Sequence, residues 1–112
     1  MPQNFGMSLT TDRDDPLLHE TEPETGMRRS YLIMDEHERQ HYVRPVRRSY
    51  RHERCGHITT MGIALAETYA AKPDFYGRTY CAACHDHFPV GANGEFWWVG
   101  PDGEDIREKV GT

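Results

Sequence analysis

Short apolar runs separated by polar turns mark the first half of the chain, and they predict β-strands. The segments RSYLIMD (residues 29–35) and QHYVRPVRRSYRH (residues 40–52) are rich in the aromatic and aliphatic residues that favour strands. The polar stretch EHER lies between them and is typical of a turn. We therefore expect the two segments to pair as a hairpin. Because proline cannot donate a ladder hydrogen bond, Pro45 should lie at a sheet edge or at a bulge.

The clearest helical pattern is the segment TTMGIALAETYAAKP. Three residues at intervals of four would share one face of this helix: Met61, Leu65 and Tyr69. Thr59 or Thr60 can cap its first turn, and Pro73 ends it. The sequence thus predicts one main helix over about residues 60–72.

Further strands are expected towards the C-terminus. The segments DFYGRTYC and EFWWV have strand composition, GPDG is a good type I turn, and EDIREKV fits either a strand or a short helix. Trp97 and Trp98 are adjacent, so on a strand they point to opposite faces. One of them should pack on the helix, and the other is a candidate interface anchor.

Composition indicates one small domain with a thin core. The chain has 112 residues, and 37% of them are hydrophobic. Domains of this kind often need a disulfide or a metal ion for stability. Three cysteines cannot all pair within one chain, so thiolate ligands in a reducing compartment are the simpler interpretation. With no signal-peptide pattern and no long apolar run, we expect a soluble intracellular protein.

Charge is distributed unevenly. Residues 1–26 contain one arginine against six acidic residues, whereas residues 27–54 contain eight arginines against four acidic residues. We interpret residues 1–26 as an extended or disordered acidic arm and residues 27–112 as the single folded domain. The arm is either a solvated tail or a segment that docks on a partner or on the protein's own basic stretch. In the second case Leu17 and Leu18 would anchor it.

Cysteine and histidine spacing predicts a metal site. Cys81 and Cys84 form a Cys-x2-Cys pair, and His52 and Cys55 repeat the same spacing upstream. Structural zinc takes four tetrahedral ligands, mainly thiolate and imidazole, and two such turns brought together would supply them. The expected site is therefore a structural Zn2+ bound by three cysteines and one histidine.

Alternatives to this assignment concern the fourth ligand and the chemistry. His57, His85 or His87 would replace His52 if the chelate geometry differed. The triplet HDH resembles a fragment of an HNH-type nuclease, although no histidine follows His87. Three unrelated buried cysteines are a further possibility. A thioredoxin-type site would need a helix after Cys84, and Pro89 and Gly91 argue against one.

The segment YVRPVRRSYRHER combines arginines with tyrosines, a composition suited to phosphate contact and base stacking. The pI of about 5.7 is low for a nucleic-acid-binding domain. Pairing of these arginines with the protein's own acids, nucleic-acid contact and contact with an acidic protein all stay open. The candidate partner-binding residues are Arg44, Arg47, Arg48, Arg51, Tyr50 and Trp98.

The stretch from Tyr50 to Val99 resembles small zinc-binding-type proteins encoded by tailed bacteriophages of actinobacteria. In those proteins a His-x2-Cys-Gly segment, a TTMG…LAETYA helix, FYG, Cys-x2-Cys and HFP recur in this order, as they do here. The resemblance covers about half of the chain and excludes residues 1–40. It implies the ligands His52, Cys55, Cys81 and Cys84, and it implies no particular function.

These observations lead to a small α+β, zinc-ribbon-like domain with short antiparallel strands, one main helix and an acidic arm. The expected function is that of a non-enzymatic phage binding module. It would contact a macromolecule, with a protein favoured over nucleic acid, and would have neither a small-molecule substrate nor a membrane partner. It would act in the cytoplasm of the infected host cell or in the virion. The alternatives are a virion-associated structural component and an HNH-like metal-dependent nuclease that uses His85 and His87.

Overall fold

A computed structural model describes residues 8–112. Its strands are β1 (Ser8–Thr10), β2 (Ser30–Leu32), β3 (Ser49–His52), β4 (Ile58–Thr60), β5 (Arg78–Cys81), β6 (Asp86–Pro89), β7 (Phe96–Val99) and β8 (Asp105–Lys109). Helix α1 spans Ile63–Ala71, and two short 3₁₀ helices span Pro16–His19 and Glu38–Gln40. The expectation of a small α+β protein with one α-helix and several short antiparallel strands is confirmed for the described part of the chain.

The strands form three sheets. The largest has four strands in the order β4-β3-β7-β8, and all its pairs are antiparallel. β5 and β6 form an antiparallel hairpin, and β1 and β2 form a parallel pair. β3 is therefore an inner strand, and the turns after β3 and after β5 carry the candidate metal ligands.

The predicted hairpin between residues 29–35 and residues 40–52 is wrong. β2 pairs with β1, and β3 pairs with β4 and β7. Residues 41–48 contain no strand, because the N–H groups of Val43 and Arg44 both donate to the carbonyl oxygen of Ala70 at the end of α1. Pro45 lies in this irregular stretch, outside the ladder that it could not have extended.

The helix begins later than predicted. Thr59 and Thr60 belong to β4, where the Thr60 hydroxyl lies 2.8 Å from that of Ser49 on β3. Gly62 is the N-cap, and no side chain caps the helix, so the predicted threonine cap is wrong. Pairing with β3 takes the threonines into the sheet. At the other end the helix stops at Ala71, just before Pro73 as expected.

The core lies between the inner face of the large sheet and α1. Tyr50, Phe96 and Trp98 are buried there, together with Tyr69 of the helix. The rings of Trp98 and Tyr69 meet edge to face with centroids 5.7 Å apart. The prediction that one of the two tryptophans packs on the helix is thus confirmed. The EDIREKV segment forms the strand β8 rather than a helix.

Residues 8–26 lie against the rest of the protein. β1 pairs with β2, and the side chain of Arg29 lies 3.6 Å from Glu20 and 3.4 Å from Glu22. Leu17 and Leu18 are half-buried. Residues 1–7 of the predicted arm lie outside the described residues, and the division at residue 26 stays a prediction. Within residues 8–112 no helix is long and apolar enough to cross a membrane.

Candidate metal centre

The first half of the site is the turn between β3 and β4, which we call the first knuckle (residues 52–57). His52 ends β3, and its carbonyl oxygen accepts a 2.7 Å hydrogen bond from the N–H of Gly56. Gly56 has a φ of 76°, in the left-handed region that glycine enters at little cost. The N–H of His57 lies 3.4 Å from the sulfur of Cys55, so the backbone donates to that sulfur.

The second half is the turn between β5 and β6, which we call the second knuckle (residues 81–86). Here the carbonyl oxygen of Cys81 accepts a 2.9 Å hydrogen bond from the N–H of His85. His85 has a φ of 57° and so takes the left-handed conformation that Gly56 has in the first knuckle. The two knuckles therefore share one backbone design, with ligands at the first and fourth positions and a left-handed residue at the fifth.

The structure brings the four predicted ligands together. One ligand atom from each of His52, Cys55, Cys81 and Cys84 lies within 4.8 Å of all the others. The Cys55 sulfur is 3.5 Å from that of Cys81, and Nδ1 of His52 is 3.5 Å from the Cys55 sulfur and 3.6 Å from the Cys84 sulfur. A tetrahedron with bonds of about 2.3 Å to sulfur and 2.0–2.1 Å to nitrogen has edges of about 3.6–3.8 Å. The cluster can hold a metal ion of this kind.

Three neighbours fix the ring of His52, which is fully buried. Phe88 and Phe96 lie on the ring at centroid distances of 4.5 and 4.6 Å. Nε2 lies 2.8 Å from a carboxylate oxygen of Glu95, so Nδ1 is the nitrogen that faces the sulfurs. A metal on Nδ1 leaves the ring proton on Nε2, which then donates to Glu95.

Glu95 also has a cationic neighbour. Its other carboxylate oxygen lies 3.2 Å from the guanidinium of Arg54. The hydrogen bond with His52, and then the charge of Arg54, lower the pKa of Glu95 despite an opposing effect of desolvation. The carboxylate is thus kept ionised beside the imidazole, which makes the ring a better electron donor to a cation.

The pKa values of the Cys55 and Cys84 thiols are shifted in opposite directions. For Cys55, desolvation acts to raise the pKa, but hydrogen bonds from His57, Cys81 and His52 outweigh it and lower the pKa to about 7. Desolvation and the neighbouring sulfurs of Cys81 and Cys55 raise the pKa of Cys84 to about 11. A divalent cation would stabilise all three thiolates at once.

The other histidines considered as ligands lie outside the cluster. Within residues 8–112 the four residues above are the one group of three or more His, Cys, Asp or Glu side chains placed to hold a metal. His57 and His85 are exposed. His87 is half-buried, and its Nε2 lies 2.8 Å from the hydroxyl of Tyr31. His85 and His87 are therefore not brought together with the sulfurs.

The predicted partner-binding residues do not form one exposed surface. Arg47 pairs with Glu108, and Arg51 lies 3.2 Å from Asp105. Arg44 and Arg48 are exposed, whereas Tyr50 and Trp98 are buried. Tyr50 is 2% and Trp98 3% exposed, so both are part of the core, and a role for them in partner contact stays a prediction. Both side chains point inward from the middle of the large sheet, where they form the core.

Sequence reasoning did not single out Glu95, Phe88 or Phe96 as site residues. One signal was available for Phe96. It lies two residues before Trp98, so it shares the inward face of β7, and the sheet register pairs it directly with His52. No comparable signal pointed to Glu95, because its contact with His52 depends on a strand pairing across more than forty residues.

The fold and site define the protein as a small α+β protein with a closely grouped His/Cys cluster that can bind a metal. Comparison with protein-family models, with curated proteins and with solved structures found no match.

Proposed function

We propose that the protein is a non-enzymatic binding module whose fold depends on a structural Zn2+. The grouping of His52, Cys55, Cys81 and Cys84 in two matching hairpin turns carries this proposal. Three soft thiolates and one imidazole suit zinc, and four protein ligands leave no position for a substrate water. Two turns facing one metal are also the arrangement of a zinc ribbon, which supports the zinc-ribbon-like assignment.

Metal analysis of the purified chain tests the zinc. We expect one zinc per chain, and we expect a strong chelator to unfold the protein, because metal binding then contributes much of the folding free energy. The Cys81→Ser variant should lose the metal. The matched control is His57→Ala, which removes an exposed side chain of the first knuckle outside the cluster and should keep the metal. A metal-free chain that stays folded in the chelator would refute the proposal.

The partner is proposed to be an acidic protein surface. Every residue from 41 to 45 is exposed, with Tyr42 at 43% and Val43 at 59% exposure. Arg44 and Arg48 add positive charge, and the side chain of neither is in an ion pair within residues 8–112. Two exposed arginines within a few residues of exposed apolar side chains in the chain suit a partner that offers carboxylates around an apolar contact.

Capture from a host lysate, compared between the intact protein and a double charge reversal, tests this surface. Arg44→Glu with Arg48→Glu should abolish capture of the acidic partner, whereas Arg107→Glu, at another exposed arginine, should not. Equal capture by both variants would contradict the proposed surface. Capture of nucleic acid with a steep salt dependence would favour the nucleic-acid alternative instead.

The origin and the site of action rest on the sequence resemblance. We propose a phage protein acting in the cytoplasm of the infected cell, with a virion-associated structural role as the alternative. The HNH-like nuclease would need His85 and His87 to act away from the sulfur cluster. A plasmid-cleavage assay with magnesium or manganese, repeated on His87→Ala, tests it, and a lack of cleavage by the intact protein would remove it.

A further inference from the structure

A small apolar cavity lies between α1 and β5, and none of the four metal ligands lines it. Its volume is about 50 Å³, and it is partly open to the surface. Five tyrosines form much of its wall: Tyr31, Tyr50, Tyr69, Tyr76 and Tyr80. Met27, Met61 and Leu65 add aliphatic side chains to the lining. An opening of this kind is a candidate site for a small ligand.

Hydrogen bonds to the protein occupy most of the tyrosine hydroxyls. Tyr50 donates to the carbonyl oxygen of Tyr80, Tyr76 to that of Leu32, and Tyr80 to that of Thr25. The Tyr31 hydroxyl accepts from the N–H of Arg28 and contacts His87. These four rings therefore present mainly apolar surface to the cavity, which favours an apolar occupant. The fifth, Tyr69, has a buried hydroxyl with no hydrogen-bond partner among the described residues.

Among residues 8–112, Arg78 is the one charged residue that lines the cavity. It lines the cavity yet is exposed, so it lies where the cavity meets solvent. Its Nη1 donates to the carbonyl oxygen of His87 at 3.2 Å, and within residues 8–112 no carboxylate pairs with it. No acidic residue lines the cavity. Arg39, Arg51 and Arg54, by contrast, all lie next to a carboxylate.

We propose that this cavity binds a small carboxylate with a short, branched apolar body. The apolar group would enter between the tyrosines, and the carboxylate would accept hydrogen bonds from the free donors of Arg78. Drug-sized sites have volumes of about 300–1,000 Å³, so a cavity of about 50 Å³ encloses only a few carbon atoms. Both a free branched-chain acid and the C-terminal leucine or valine of a peptide offer this chemistry.

Amide NMR spectra of the full chain, titrated with 3-methylbutanoate, test the proposal. Saturable shifts should appear at Leu65, Tyr69 and Thr79, which line the cavity. The neutral isostere 3-methylbutanamide should bind at least about 10-fold more weakly, because it cannot form a charge-assisted pair with Arg78. N-acetyl-leucine distinguishes the two sources: tighter binding than 3-methylbutanoate assigns the site to a peptide terminus, and weaker binding assigns it to a free acid.

Two variants test the charge of Arg78 and the shape of the cavity separately. Arg78→Gln should weaken 3-methylbutanoate binding about 10-fold, whereas Arg107→Gln, a matched change at an exposed arginine outside the cavity, should leave it unchanged. Leu65→Phe should fill the cavity and abolish the shifts while Arg78 stays in place. The proposal is overturned if no saturable shift occurs, if the amide binds as well as the acid, or if Arg78→Gln binds as well as the unmodified chain.

Discussion

His52 takes its orientation from residues that the cysteine motif does not contain. Phe88 and Phe96 both pack against the ring, and Glu95 contacts the nitrogen that faces away from the sulfurs. A histidine oriented in this way loses little side-chain entropy when a metal binds. The affinity of the site should therefore depend on Glu95 as well as on the four ligands.

We predict that Glu95→Gln weakens zinc binding by about 10–100-fold, because the ring loses its ionised hydrogen-bond partner. Competition with a chromogenic chelator measures this change. Glu53→Gln is the matched control, since Glu53 is exposed and accepts a hydrogen bond from the Trp97 indole rather than from a ligand. Equal affinities for the two variants would show that Glu95 does not support the site.

The metal ligands were predictable from the sequence, but the residues that orient them were not. Two pairs with the same x2 spacing identified His52, Cys55, Cys81 and Cys84, since the spacing is a local property of a turn. The contact with Glu95 is a property of strand register, which no local pattern encodes. Burial of Tyr50 and Trp98 also depends on which face of the sheet meets the helix, and the arginine-rich composition around Tyr50 concealed it.

At the scale of elements, the two knuckles reach one geometry with different residues. The left-handed position is Gly56 in the first knuckle and His85 in the second. A residue with a Cβ atom pays about 1–2 kcal/mol in this conformation. The second knuckle therefore contains this conformational strain at His85, whereas glycine avoids it in the first knuckle.

We predict that Gly56→Ala lowers the free energy of unfolding by about 1–2 kcal/mol, since it introduces the same strain into the first knuckle. Gly77→Ala is the control: a Cβ there would meet nothing within 4 Å, and its φ lies outside the left-handed region. Denaturant unfolding of the zinc-loaded proteins measures both. A loss as large for Gly77→Ala as for Gly56→Ala would contradict the strain argument.

His87 on β6 contacts the hydroxyl of Tyr31 on β2, and this contact should depend on pH. Burial lowers the pKa of His87 to about 4, with the nearby charges of Arg28 and Arg78 acting in the same direction and Asp86 opposing them. An unfolded histidine titrates near pH 6.5, so between about pH 6.5 and 4 the unfolded chain binds more protons than the folded one. This contribution to stability is therefore complete above about pH 6.5 and is lost as the pH falls.

We expect His87→Gln to lose less stability than the unmodified chain between pH 6.5 and 4, because it lacks the group that must be protonated on unfolding. Urea unfolding at a series of pH values measures the difference. His37→Gln, at an exposed histidine, controls for the loss of one imidazole. Parallel pH profiles for His87→Gln and the unmodified chain would exclude this linkage.

Local sequence patterns predicted the helix, whose hydrogen bonds are internal. They did not predict the strand pairings, which depend on partners distant in the chain. The spacing of apolar residues located α1, and Pro73 located its end. The hairpin of residues 29–35 with residues 40–52 was wrong because β2 pairs with residues 22 positions earlier and β3 pairs with β7, far along the chain. Strand composition carries no information on which partner will be chosen.

At the scale of the whole molecule, the N-terminal segment meets the second knuckle. Gly26 has a φ of 78°, and a Cβ at this position would overlap the carbonyl oxygen of His85. The Tyr80 hydroxyl donates to the carbonyl oxygen of Thr25 next to it. The backbones of the two segments therefore touch directly, one residue beyond the ligand Cys84.

We predict that Gly26→Ala lowers the free energy of unfolding by about 3 kcal/mol, the sum of the left-handed strain and of an overpacked contact. Hydrogen exchange should rise across residues 8–32 before it rises in the large sheet. Gly91→Ala, with a φ of 104° and open space around its Cβ, should show the strain alone. Equal effects for the two variants would mean that the contact with the knuckle adds nothing.

The ring contacts of His52 can form only late in synthesis of the chain. Both Glu95 and Phe96 follow the last cysteine in the chain, so a nascent chain exposes all three sulfurs before it can fix the imidazole. An ion captured at that stage would be bound by thiolates and an unoriented histidine, and it would exchange readily with the cellular pool. The emergence of β7 would then complete the support of His52, and a metal bound at that stage would be retained.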